Sequence, residues 1–161
     1  MEVKILGSAL ILTSSLIIYF EKRAKDINVL KQAEAYLKLL IHIRNKVDTY
    51  SMPIERILDC CSTDILNMCG IHNNHSNKYI SLSSRIDDGA ILLDNTTKNI
   101  ILDFASEFGS AYSESQLKIC DNYIEQLRVR IAEMKDQNKK NARVYLALYL
   151  CITFSIVLIL I

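Results

Sequence analysis

Proline and glycine are scarce, with one Pro and four Gly in 161 residues. That excludes collagen-like and low-complexity disordered chains. Charge of one sign is also lacking: 19 Lys and Arg stand against 18 Asp and Glu, a net of +1. Global charge therefore gives no reason to expect nucleic acid as a partner. No Gly-rich phosphate loop, no H-E-x-x-H and no G-x-S-x-G occurs anywhere, so the common phosphate-binding, zinc-protease and serine-hydrolase signatures are missing. Strand patterns are nearly absent too. Only the four residues Ala90 to Leu93 resemble one, and they are too few. The expectation is an all-α, non-enzymatic protein.

The five cysteines, Cys60, Cys61, Cys69, Cys120 and Cys151, are odd in number. That is not a disulfide framework and fits a reducing compartment. Cys69-x2-His72-x2-His75 has spacing short enough for shared metal ligation. Against this, Cys60, Cys61 and Cys69 fall at apolar positions of short helices, where Cys acts as a small hydrophobe. No paired C-x-x-C supports a zinc site. Cys69, His72 and His75 are thus weak metal candidates, and no cofactor is expected. Asp87, Asp88 and Asp94 cluster around Gly89 but lack EF-hand spacing, which reads as a solvated helix end.

What the chain does have is long apolar runs at both ends. Val144 to Ile161 carries no charge, Gly or Pro over eighteen residues, roughly 27 Å of helix against a hydrocarbon layer of about 30 Å. Val3 to Phe20 is a second run, with Lys4 its one charge. It lacks a small-residue cleavage site and is followed by Glu21-Lys22-Arg23-Ala24-Lys25, the pattern of a retained anchor rather than a signal peptide. Lys22, Arg23 and Lys25 follow the first run, and Lys135, Lys139, Lys140 and Arg143 precede the second. Because positive flanks stay in the cytoplasm, the expected organisation is a transmembrane helix over 1–20, a cytoplasmic helical bundle over 21–143 and a transmembrane helix over 144–161, with both termini outside.

The middle reads as helices. With no Gly or Pro between Ser8 and Met52, the first run can continue into a helix striped by Leu30, Ala33, Leu37, Leu40 and Val47. Tyr36, Ile43 and Tyr50 widen the face, and Arg44 interrupts it. Such an Arg usually lays its stem on the core and keeps its head in water. Pro53 starts a second helix bearing Ile54, Ile57, Leu58 and Cys61. Ser62, Thr63 or Asp64 can cap a third, which Gly70 ends. Residues 72–78 read as a polar loop, and Tyr79, Leu82 and Ile86 as a further helical face. Asp94-Asn95-Thr96 offers caps for a helix with Ile101, Phe104 and Phe108 on its face, ending at Gly109. Ser113-Glu114-Ser115-Gln116 is a capping box for the last helix. Its seam runs Leu117, Cys120, Ile124, Leu127, Ile131, Met134, Asn138, Asn141, Tyr145 and Leu148 with heptad spacing. The expected fold is an antiparallel bundle of five to six helices whose first and last helices enter the membrane.

Taken in order, Val47-Asp48-Thr49-Tyr50-Ser51-Met52-Pro53-Ile54-Glu55-Arg56-Ile57, then Phe104-Ala105-Ser106-Glu107-Phe108-Gly109, a long Lys/Gln-rich helix and a terminal apolar run resemble the stage III sporulation protein AB family. Tyr50, Pro53, Phe108 and Gly109 match its Tyr-x-x-Pro-like and Phe-Gly turns. Tyr112-Ser113 stands where that family has a Leu-Gly, Ala147 is the smallest residue of the last run, and residues 59–96 match poorly. The resemblance implies a mother-cell membrane protein around the forespore, within a secretion-like channel apparatus. It implies a helical domain similar to that of the platform protein F of type II secretion and type IV pilus systems. It also implies a cytoplasmic secretion-type ATPase, stage III sporulation protein AA, as partner beside other membrane components and lipid. On the antiparallel packing expected above, Glu55, Arg56, Glu107 and Glu114 are the charged candidates for contacting that ATPase. The rival expectation is a membrane-anchored coiled coil that oligomerises through its last helix. A membrane metalloenzyme using the Cys/His cluster is a third, weaker class.

Overall fold

The computed structural model describes residues 2–50, 54–71, 92–110 and 113–160. These form helices α1 (Glu2–Tyr50), α2 (Ile54–Asp59), α3 (Thr63–Cys69), α4 (Asn95–Ser110) and α5 (Ser113–Leu160), with no strand among the described residues. The expected helix around Tyr79 to Ile86 and the polar loop at 72–78 lie outside the described residues. Leu92 and Leu93, the described half of the possible strand, form a bend.

The chain divides into two compact units, residues Val29–Glu133 and the paired segments Met1–Asn28 with Met134–Ile161. In the central unit, α1 buries Ala33, Ala35, Tyr36, Leu39, Leu40, Ile43 and Val47, while Leu30 and Leu37 are only half-buried. At 100° per residue this face lies roughly a quarter-turn from the expected stripe. The cause is visible at the end of α3. The Tyr36 hydroxyl donates to the Cys69 carbonyl at 2.9 Å, and Gln32 Nε2 donates to the same oxygen at 3.4 Å. A buried Gln at position 32 is a signal that apolar periodicity does not register.

Gly70 ends α3 at φ 77°, the left-handed conformation glycine adopts freely. Its N–H donates to Asn67 O, and the Ile71 N–H donates to Leu66 O, the paired bonds of a Schellman stop. Leu66 and Ile71 are both buried beside it, the apolar contact that accompanies such a stop. Ser62 stands at the N-cap of α3 without a side-chain cap bond.

Helices α4 and α5 run antiparallel. Phe104 meets Phe108 at 5.2 Å and Tyr123 edge-on at 5.8 Å between ring centroids. Gln116 Nε2, expected in the capping box, donates to the Phe108 carbonyl at 3.5 Å. Helix α4 runs one residue past the expected stop, through Gly109 to Ser110. On α5 the seam is buried at Cys120, Ile124, Leu127 and Ile131 within the single chain.

In the terminal unit α1 and α5 are again antiparallel, with Tyr19 edge-on to Tyr149 at 6.2 Å and Asn138 Nδ2 donating to the Asp26 carbonyl at 3.4 Å. Met134 is buried, Asn138 half-buried, and the seam then moves to Ala142, Tyr145, Tyr149 and Thr153. Asn141 and Leu148, expected on the seam, are exposed. A straight helix at 3.6 residues per turn drifts by about 20° per heptad, so a strict heptad projection leaves the interface after a few turns.

Candidate functional site

Four charged side chains were expected to meet a partner. Arg56 on α2 and Glu107 on α4 are exposed. The side chains of Glu55 and Glu114 lie outside the described residues. Glu107 is engaged by the bundle itself: the Tyr123 hydroxyl donates to it, and burial followed by this bond pushes the Tyr123 pKa up to about 12.

Sequence reasoning missed the polar lock between α4 and α5. Asp94 is the N-cap of α4, accepting from the Thr97 N–H at 3.3 Å and the Thr97 hydroxyl at 2.6 Å. Arg130 from α5 reaches the same carboxylate at 3.1 Å and Glu133 at 2.9 Å. Partial burial works to raise the Asp94 pKa, but the bonds from Thr97 and Arg130 outweigh it and lower the value. The cap was legible from the sequence; its long-range cation was not, because 36 residues separate the pair. Beside this lock an open groove of about 390 Å³ lies between the helices, with Ile100 and Val129 on its floor and Glu125 and Glu133 among its walls.

Arg44 keeps its head at the solvent-exposed edge, as expected, and there pairs across helices with Asp121 at 2.8 Å. Of the Cys/His candidates, Cys69 is fully buried and burial pushes its thiol up to about 12, with Cys61 its neighbour. His72 and His75 lie outside the described residues, as do Asp87 and Asp88. Among the described residues no group of three metal-ligating side chains forms.

The terminal unit presents a different chemistry. Its seam holds Ser15, Tyr19, Tyr149 and Thr153 around a small cavity of about 70 Å³ that Leu16, Leu146 and Leu150 also line. Large apolar side chains point outward instead: Leu10, Leu16, Ile17, Ile18 and Phe20 on α1, and Leu146, Leu150, Phe154 and Leu158 among others on α5. The hydroxyls are turned inward on their own backbones. Thr13 and Ser14 donate to Leu10 O, Thr153 to Tyr149 O and Ser155 to Cys151 O. At the edge of the apolar runs Lys22 Nζ sits 3.7 Å from the Tyr145 ring centroid, and Arg23 donates to the Tyr19 hydroxyl at 3.0 Å. Hydrogen bonding to Tyr145 raises the Lys22 pKa.

Among the described residues no helix is long and apolar enough to cross a membrane. The expected spans fall in part on side chains outside the described residues, at 1–6, 8, 9, 11 and 12 in one and at 157 and 159–161 in the other. Neither curated proteins nor solved structures give a match to the chain. The family model for stage III sporulation protein AB, in contrast, matches residues 4–161. On that match, which spans both units and all five helices, the chain belongs to the stage III sporulation protein AB family.

Proposed function

We propose that the chain is a non-enzymatic membrane adaptor of a secretion-like channel complex, presenting its central helical unit to a cytoplasmic secretion ATPase. Membership of the family implies a role in stage III of sporulation, and the family is not a known enzyme family. The observation that carries the membrane part of the reading is the inverted distribution in the terminal unit. Ser15, Tyr19, Tyr149 and Thr153 stand on its seam beside Leu16, Leu146 and Leu150, the hydroxyls of Thr13, Ser14, Thr153 and Ser155 bond back to their own helix, and large Leu, Ile, Val and Phe side chains are exposed on its exterior. In water such a surface is unfavourable by about 25 cal/mol per Å². In lipid it is the ordinary arrangement, since tails solvate the large side chains and helices associate through small and polar ones.

The central unit supports an adaptor over a chain that oligomerises through its last helix. Cys120, Ile124, Leu127 and Ile131 are buried inside the monomer, so among the described residues this seam is not open to a second copy. A partner would then contact surface charges, which chiefly steer association and set specificity. Arg56 and Glu107, with Glu55 and Glu114, are the groups proposed for the ATPase, stage III sporulation protein AA.

The test is co-purification from sporulating cells. Arg56→Glu combined with Glu114→Lys should reduce ATPase capture and block sporulation, with circular dichroism and membrane insertion unchanged. Unchanged capture, with loss in Lys139→Glu/Lys140→Glu instead, would place the contact at the basic end and overturn this assignment.

A further inference from the structure

Seven cationic side chains, Lys22, Arg23 and Lys25 with Lys135, Lys139, Lys140 and Arg143, gather in the segments 21–26 and 135–143 of the terminal unit. Against them stand Glu21, Asp26 and Asp136. This collar therefore carries a surplus of four positive charges in a chain whose net charge is +1. Lys25, Lys135, Lys139 and Arg143 are exposed, and Lys140 is spent on Asp136 at 2.7 Å.

Lys22 and Arg23 differ from the rest because aromatic groups hold them. Lys22 lies over the Tyr145 ring and feels the Tyr149 hydroxyl, and the Asp26 carboxylate also acts on it. Arg23 folds back one turn onto the Tyr19 hydroxyl, and Tyr19 is edge-on to Tyr149. Both cations thus converge on one aromatic cluster where the apolar runs begin. An ammonium has three N–H donors, of which the Tyr145 hydroxyl takes one, and one hydroxyl engages a single nitrogen of the guanidinium. Donors remain for an anion with several oxygens, a geometry that suits phosphate.

We propose that Lys22 and Arg23, braced by Tyr145 and Tyr19, form a binding site for the phosphate of an anionic phospholipid headgroup. The inference rests on the membrane reading above and adds a ligand to it. Basic pockets between helices at a membrane edge have this chemistry, and tyrosines at the same level sit naturally among headgroups. The bound lipid fastens α1 to α5 where they leave the bilayer, adding a link beside Lys22–Tyr145 itself.

The full chain is placed in bilayers containing spin-labelled phosphatidylglycerol or spin-labelled phosphatidylcholine, and the motionally restricted fraction is measured for each. Preference for the anionic lipid is expected. Lys22→Gln or Arg23→Gln should lower it by at least about fivefold, the loss of a hydrogen bond to a charged phosphate. Tyr145→Leu should lower it as well although no charge is lost, and Lys22→Arg should retain it. Lys139→Gln removes an equal charge without an aromatic brace and should change it by less than about twofold. Equal losses for Lys139→Gln and Lys22→Gln would mean a diffuse field and no site. Displacement of the labelled lipid by millimolar inorganic phosphate would assign the pocket to a soluble anion and overturn the lipid assignment. Insertion without any headgroup preference sinks this inference alone, whereas failure to insert into bilayers of either composition sinks the membrane reading beneath it.

Discussion

The Arg130 guanidinium on α5 lies 3.1 Å from the carboxylate of Asp94, the residue that caps α4. One side chain thereby ends a helix and joins it to its neighbour. Asp94→Ala removes the cap bonds to Thr97 and leaves Arg130 with Glu133 alone. The expected cost is about 1–2 kcal/mol, the usual range for an N-cap. Asp94→Asn keeps an acceptor for Thr97 and loses only the charge, so it should cost less than about 1 kcal/mol for a partly exposed pair. Chemical denaturation of the full chain in detergent measures both. Equal losses in the two variants would mean that the cap bonds contribute nothing.

The same carboxylate gives a pH signature. Its folded-state pKa is lowered from the ordinary 3.8. A depressed carboxylate contributes stability that is present above the unfolded value and is lost as pH falls through the folded one. Stability of the wild type should therefore decline below about pH 4, and Asp94→Asn should flatten part of that decline. A denaturation midpoint followed from pH 6 down to pH 3 gives the comparison. Parallel curves for the two proteins would remove Asp94 from the account.

Leu127 is fully buried, and Leu127→Ala should cost about 2–5 kcal/mol. Leu39 is 1% exposed while Leu37 is half-buried. Leu39→Ala should therefore cost more than Leu37→Ala, the reverse of what the apolar stripe alone suggests. Tyr36→Phe keeps the ring and removes the hydroxyl donated to Cys69 O, leaving that buried carbonyl with Gln32. The expected loss is about 1–2 kcal/mol. Thermal melts of the four variants rank them, and a Leu37→Ala loss equal to that of Leu39→Ala would contradict the observed burial.

Helix identities were legible because local rules set them. Absence of Gly and Pro beyond Gly7 let α1 run on to Tyr50, Gly70 stopped α3, and Asp94 capped α4. The faces were less legible, because they depend on what packs against each helix. Tyr36 was assigned to the margin and lies at the centre, since the end of α3 docks there. Arg44 interrupts a stripe in the sequence, yet it sits at the border of the buried face and finds Asp121, 77 positions away. The heptad seam was legible from Cys120 to Met134 and then drifted off Asn141 and Leu148, as helical periodicity requires. The tyrosines at 19, 145 and 149 read as parts of apolar runs; only the pairing of α1 with α5 brings them together beneath Lys22 and Arg23.

The last prediction concerns the side of the membrane on which the central unit lies. The proposal tested is that it lies on the cytoplasmic side, which rests on the seven flanking cations. Of the cysteines in that unit, Cys61, Cys69 and Cys120 are buried and Cys60 is exposed, so Cys60 is the reporter. Cys151 is exposed on the apolar exterior of the terminal unit, and Cys151→Ser removes it from the assay. In intact cells a membrane-impermeant maleimide should leave Cys60 unmodified, and after permeabilisation it should modify that site. Inverted vesicles should react at once. The contrast depends on exposure and not on thiol acidity, since the buried thiols at Cys69 and Cys120 are held near pKa 12 and stay unreactive on either side. Labelling of Cys60 in sealed, intact cells would put the central unit outside, remove it from reach of a cytoplasmic ATPase, and overturn the adaptor reading together with the topology.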